Sequence, residues 1–149
     1  KSFSREYLAI VEGKMVPARG TIDCPIARPD PQSVLRIVSP DGKPAVTHYE
    51  RLAYDSRFSL LRLRLETGRT HQIRVAVQSR GHGIAGDDKY GKRDFNRAIR
   101  RLGFKGMFLH AASTRFVYDD RPVAVSAPLP AAAAQLLTTL DSFNTKESV

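Results

Sequence analysis

The sequence predicts an α+β fold, a mixed, mainly antiparallel sheet with flanking helices. Three observations carry that prediction. Leu61, Leu63 and Leu65 alternate with Arg62, Arg64 and Glu66, the period of two that marks a half-buried strand. Two pairs of strand candidates, 46–54 with 58–66 and 108–117 with 122–126, are separated by short turn sequences and read as hairpins. Helical periodicity is confined to brief stretches inserted among the strands, the order expected of an α+β chain.

Taken in order, Tyr7-Leu8-Ala9-Ile10-Val11 is an apolar run closed by Gly13 and reads as a buried strand. It stands almost at the start of the sequence and must pair with another strand. Without that partner the sheet would keep an open, association-prone edge. Residues 21–26 and 34–38 are further strand candidates, separated by Arg28-Pro29-Asp30-Pro31. Asp41-Gly42-Lys43-Pro44 is a turn signal. The first hairpin turns at Asp55-Ser56-Arg57. Residues 70–80 read as a helix with Thr70 as N-cap and Gly81 as its stop. Ile73 and Val77 share one face of it, Arg74 and Gln78 another. A loop over 81–91 leads to a second helix over 94–102, where Phe95, Ala98, Ile99 and Leu102 fall at i, i+3, i+4 and i+7. The second hairpin turns at Asp119-Asp120-Arg121, and Pro130 opens a last helix.

A chain of 149 residues fits one domain, and 42% apolar residues argues against disorder. With 24 Lys and Arg against 15 Asp and Glu, the formal charge is +9 and the pI about 10.1. A charge of that size points to a partner, and a phosphate backbone is the usual one. A membrane is not expected. No apolar run approaches the ~18 residues of a span, no basic amphipathic helix carries aromatic anchors, and the start has no signal-peptide core. The single cysteine, Cys24, excludes an internal disulfide and fits a reducing, cytoplasmic setting. The histidines lack the spacing of zinc ligands, and Asp87-Asp88 suits turn N–H groups better than a cation, so no metal is expected. The sequence begins with Lys1 rather than Met, and upstream residues are expected to have been removed.

The stretch that carries chemistry is Leu65-Glu66-Thr67-Gly68-Arg69-Thr70-His71-Gln72-Ile73-Arg74-Val75. A strand delivers two arginines and an amide to the start of a helix. Unpaired N–H groups and positive partial charge there favour an anion, carboxylate or phosphate. Residue types and spacing stop at that anion-binding corner. A second concentration of charge, Lys89, Lys92, Arg93, Arg97, Arg100, Arg101 and Lys105, has only Asp94 opposing it. It reads as a phosphate track, against the plainer possibility of a solvated helix face.

That stretch resembles the Gly-Arg-Thr-His-Gln-Ile-Arg motif of the RluA-type pseudouridine synthases. The resemblance continues through Gly81-His82-Gly83-Ile84-Ala85-Gly86-Asp87-Asp88-Lys89-Tyr90-Gly91, Phe108-Leu109-His110-Ala111 and Ala127-Pro128-Leu129-Pro130. Upstream, Arg5-Glu6-Tyr7-Leu8-Ala9-Ile10-Val11-Glu12-Gly13 looks like the family's tyrosine-bearing strand. The blocks follow the family's order over nearly the whole chain, and 87–101 looks most like the branch acting on large-subunit ribosomal RNA. Two departures are Ala76, where histidine is usual, and Gly83, where proline is usual.

The resemblance implies a partial pseudouridine synthase-like fold and conversion of uridine in RNA to pseudouridine without a cofactor. It implies that Arg74 pairs with a catalytic aspartate and holds it ionised, where the residue alone could be a solvated helix arginine. It implies that Tyr7 stacks on the target base and accepts or relays a proton from the sugar, where the residue alone reads as a core tyrosine with a satisfied hydroxyl. Arg69 and Gln72 join the basic cluster as RNA-binding candidates. Arg69 is expected to contact RNA or to flank the helix. Gln72 and His71 are expected to hold the loop by hydrogen bonds rather than to move protons. The family's aspartate lies in a His-Arg-Leu-Asp block upstream of the tyrosine strand, and no such block occurs in these 149 residues. The acid, and by the same resemblance the strand that pairs with residues 7–11, are therefore expected from an N-terminal half outside them, and the 149 residues alone are expected to be inactive. The competing reading is an inert, basic RNA-binding module, and a small-molecule enzyme has no motif behind it.

Overall fold

In the computed structural model, which describes residues 4–140, the leucine–arginine alternation lies inside a six-stranded sheet. In chain order the elements are β1 (Ser4–Glu12), β2 (Arg19–Asp23), β3 (Ile26–Ala27), β4 (Ile37–Val38), β5 (Val46–Tyr54), β6 (Phe58–Leu65), α1 (Gln72–Ser79), α2 (Arg93–Arg101), β7 (Leu109–Tyr118), β8 (Arg121–Ser126) and α3 (Ala131–Thr139). The large sheet runs β2-β5-β6-β1-β7-β8, antiparallel at every step, and β3 and β4 form a separate two-stranded arm. The α+β, mainly antiparallel architecture is as the sequence predicts.

Several expectations change. The strand at 7–11 is buried as expected, but its partners are inside the chain. β1 is central, with Tyr7 opposite Leu63 of β6 on one side and Ala111 of β7 on the other. The open edges of the sheet are β2 and β8, so the edge expected at the tyrosine strand does not exist. The strand expected over 21–26 ends at Asp23, because Pro25 has no N–H to give a ladder, and only Ile26–Ala27 pairs again, with β4. Thr70 is not the N-cap of α1. That position is His71, in the left-handed region at φ 57°, with no side-chain cap. The strand expected over 34–38 is reduced to Ile37–Val38, and the remaining boundaries shift by a residue or two, as helix and strand ends do.

The sheet has a core on each side. Ala9, Val11, Tyr49, Leu61 and Leu63 pack with Ile73 and Val77 of α1. Ile10 and Phe58 pack with Ile99 of α2, Phe104, Phe108 and Leu136 of α3. Alternation therefore buries Ala9, Ile10 and Val11 completely, on both faces of one strand. Burying Leu61 and Leu63 in this way stabilises by about 1.5–3 kcal/mol each. Beyond α2 and α3 the second face carries charge instead. Glu50 holds both Arg19 and Arg62, at 3.0 and 2.9 Å, and His48 meets Glu66. Such exposed pairs contribute roughly 0–1 kcal/mol each.

Candidate active site

Tyr7 lies beside an irregularity in the pairing of β1 with β7. Opposite β7 the register skips Ala112 between Glu6 and Tyr7, and a bulge of this kind re-aims the neighbouring side chain. The ring is half-buried, and no described residue hydrogen-bonds its hydroxyl. Tyr49 shows what a structural tyrosine looks like in this sheet: it is 4% exposed and donates to the Pro17 carbonyl at 2.8 Å.

The turn into α1 is held by Gln72. Its Oε1 accepts from the Thr67 hydroxyl at 2.7 Å and the Arg69 N–H at 3.0 Å. Its Nε2 donates to the Val46 carbonyl and the Thr47 hydroxyl, both at 3.0 Å. These four bonds fill the amide's capacity, and the residue is 3% exposed. Gln72 thus braces the loop, as one half of the expectation has it. The RNA contact also expected of it would have to come from an amide whose oxygen and nitrogen are already engaged. With the backbone locked here, Arg69 and Arg74 leave the turn in fixed directions.

Arg74 points at a carboxylate within the chain. Its Nε and Nη2 donate to the two oxygens of Asp87, each at 2.9 Å. Asp87 also accepts the N–H groups of Lys89 and Tyr90, at 3.0 and 3.1 Å. Its side chain has no exposed surface, against 16% for Arg74. Burial by itself would raise the Asp87 pKa. The Arg74 fork and the two backbone donors outweigh it, and the carboxyl is held below the usual range. The same bond raises Arg74 further above its ordinary value. The Tyr90 ring lies 4.9 Å from the guanidinium carbon and covers its face. Arg74 is therefore not a solvated helix arginine.

The loop that presents Asp87 is pinned to β1. Glu12 donates to Gly83, Ala85 donates to Ile10, and Phe108 donates to Ala85, at 2.8–2.9 Å. Asn96 of α2, 3% exposed, accepts the Gly86 N–H and donates to the Asp87 carbonyl. The Tyr90 hydroxyl accepts the Arg36 N–H and is hydrogen-bonded to His71 Nδ1, both at 2.8 Å. Burial, then the Arg74 and Arg36 charges, lower the His71 pKa against the pull of Asp87. A neutral imidazole that accepts at Nδ1 fits that direction.

Arg5, Tyr7, Leu65, Arg69, His71 and Arg74 line one open pocket of about 250 Å³. It offers a ring to stack on, an oriented guanidinium and an apolar floor. It offers no usable carboxylate, since both oxygens of Asp87 are already engaged. The pocket can hold a planar base and pair an incoming acid, and that is the limit of its own chemistry. Residues 1–79 match the family model of the RNA pseudouridylate synthases.

The chain belongs to the RluA-type pseudouridine synthases. Over 143 residues it is 41% identical to the Bacillus subtilis protein "Uncharacterized RNA pseudouridine synthase YhcT", covering 93% of this chain and 45% of that one. Over 142 residues it is 36% identical to ribosomal large subunit pseudouridine synthase C of Vibrio cholerae, covering 94% and 45%. Over 151 residues it is 40% identical to ribosomal large subunit pseudouridine synthase D of Haemophilus influenzae, covering 94% and 46%. The chain thus spans less than half the length of these relatives. The solved structure of human RNA pseudouridylate synthase domain containing 1 superposes with a TM-score of 0.75 at 28% identity, over 90% of this chain and 59% of that one.

The basic cluster lies on and beside α2. Lys89, Lys92, Arg93, Arg97, Arg100, Arg101 and Lys105 are all exposed. Asp94 is not their only counter-charge. It meets Arg97 at 3.2 Å, while Asp88 lies 3.9 Å from Arg100 and Glu12 lies 3.9 Å from Lys92. Sequence reasoning missed the partnership of Arg74 with Asp87 and the bracing by Asn96 and Tyr90. The signal available was the adjacency of Asp87 to Gly86, whose φ of +83° marks a loop built to a fixed shape. Among the described residues no helix is long and apolar enough to cross a membrane.

Proposed function

We propose that these residues form the arginine and tyrosine side of a site that isomerises uridine to pseudouridine in RNA, in large-subunit ribosomal RNA of the cytoplasm. The catalytic carboxylate comes from a segment outside the 149 residues, and these residues alone do not turn over. The reaction breaks the bond from N1 of the base to C1′ of the ribose and joins C5 to C1′ instead, so atoms balance without a cofactor. Tyr7 stacks on the base, Arg74 holds the incoming acid ionised, and Arg69 with the α2 cations holds the RNA.

The observation that carries this reading is the mounting of Arg74. Two of its nitrogens are fixed by buried Asp87, while Nη1 has no described hydrogen-bond partner and the side chain lines the Tyr7 pocket. A guanidinium held rigidly from behind is a pre-organised partner for a second carboxylate. Asp87 cannot take the catalytic part itself, because its oxygens are occupied and have no exposed surface.

The test uses the chain joined to the upstream half of one of its relatives. Arg74→Lys keeps the charge and loses the planar fork. Turnover is expected to fall about 100-fold or more, as when an oriented charge-stabilising donor is removed, with RNA affinity nearly unchanged. Normal turnover by the lysine variant would remove Arg74 from the mechanism. An inert RNA-binding module, the second reading, would show RNA binding with no product from any form of the joined protein.

A further inference from the structure

A cleft of about 540 Å³ opens between the β3–β4 arm and the turn into α1. It shares its Gly68–Arg69 wall with the Tyr7 pocket. Four cations line it, Arg28, Arg36, Lys43 and Arg69, against the single carboxylate of Asp41. Arg28, Arg36 and Lys43 belong to none of the family blocks above and are not part of the α2 cluster.

The bonding of these cations differs from that of Arg19 and Arg62 on the charged face of the sheet, which end on Glu50. In the cleft the arginines end on backbone carbonyls. Arg28 donates to Pro31 at 3.0 Å, Arg36 to Val34 and Leu35 at 3.2 and 2.9 Å, and Arg69 to Pro44 at 2.7 Å. Among the described residues none of the four is ion-paired with a carboxylate. A carbonyl orients a guanidinium without neutralising it, so the positive potential stays open to an outside anion.

The cleft is also built. Ile26 and Lys43 exchange both backbone hydrogen bonds at 2.9 Å, which fixes where Lys43 leaves the chain. A Cβ on Gly42 would lie 2.6 Å from the Ile26 backbone, so the turn closes only with glycine there. The Arg36 N–H is anchored on Tyr90, the residue that also meets His71 and Arg74. The arm and the Tyr7 pocket are thereby held in one frame.

We propose that this cleft binds the sugar–phosphate backbone of the RNA strand next to the nucleotide held in the Tyr7 pocket. The proposal rests on the reading of that pocket as a uridine site. A strand whose base enters one cavity lays its backbone against the shared Arg69 wall and into the other. Arg28, Arg36 and Lys43 then act as phosphate donors, separate from the α2 track.

The experiment measures binding of a single-stranded, uridine-containing RNA oligonucleotide to the 149-residue chain across a salt titration. Arg28 and Lys43 lie at the surface of the cleft, and the double variant Arg28→Ala/Lys43→Ala is the test. Its affinity is expected to fall, and its log affinity against log salt to become shallower by about 0.7 for each phosphate no longer neutralised. The charge-preserving pair Arg28→Lys/Lys43→Arg is expected to keep the original slope. Unchanged affinity and slope in the alanine variant would overturn the cleft while leaving the Tyr7–Arg74 reading intact. A fall in affinity without a change of slope would also overturn it, since the cause would not be electrostatic. Absence of RNA binding by the unaltered chain would overturn both readings.

Discussion

The Asp87 carboxylate has no exposed surface, so the charge of Arg74 is what makes its burial tolerable. Removing one member of a buried pair leaves the other uncompensated, at a cost of roughly 3–5 kcal/mol. Asp87→Ala is therefore expected to lose stability in that range by urea unfolding, and to loosen Arg74 as well. A loss below about 1 kcal/mol would mean that the pair behaves as a surface ion pair. His71 carries a pH dependence. Its folded pKa lies below the ordinary value of 6.5, so the unfolded chain binds the proton more readily. The stability linked to this residue is complete above pH 6.5 and is lost as pH falls from there through the lower folded value. His71→Asn keeps an acceptor and tolerates the left-handed backbone. It is expected to flatten the stability profile over that window, and an unchanged profile would place the titration elsewhere. The sequence makes Arg74 stand out as a cation beside a helix start. It does not make Asp87 its partner, because pairing across 13 residues depends on how the intervening loop folds.

That loop lies over the sheet and is fixed by backbone hydrogen bonds. Gly86 has a φ of +83°, and a Cβ there would lie 1.8 Å from the Gly106 carbonyl oxygen. Gly86→Ala combines left-handed strain with a collision against backbone that cannot rotate away, and is expected to cost more than about 2 kcal/mol. Gly103→Ala has open space despite a φ of +95° and is the control for strain alone. Equal melting temperatures for the two variants would contradict the packing argument. The elements themselves are readable wherever a local signal governs them. The strand over 46–54 matches β5 to the residue, and α1 and α2 fall within two residues of their expected bounds. What is not readable is long-range. Nothing in Tyr7-Leu8-Ala9-Ile10-Val11 shows that β7, about a hundred residues on, closes its second edge. The arm at β3 and β4 is blurred in the sequence because Pro25 breaks a run that hydropathy alone would continue.

At the scale of the molecule, the excess of positive charge is arranged in distinct ways. Arg19 and Arg62 on the open sheet face are absorbed by Glu50, the arginines of α2 are partly opposed by Asp88 and Asp94, and those of the cleft beside Gly68 have carbonyls as their only described partners. A sequence count of +9 signals a polyanion partner, but only the fold separates these three populations. The same holds for the candidate active site. Tyr7 and Arg74 are brought together by β1 and α1, and Asp87, the carboxylate that Arg74 grips, is committed to bracing. The central claim is that a complete site needs an acid from outside these residues. The direct measurement is pseudouridine formation on large-subunit ribosomal RNA, by the 149 residues alone and by the same residues joined to the upstream half of a relative that carries a His-Arg-Leu-Asp block. The account predicts product from the joined protein and none from the 149 residues alone. Pseudouridine formed by the 149 residues alone would contradict it.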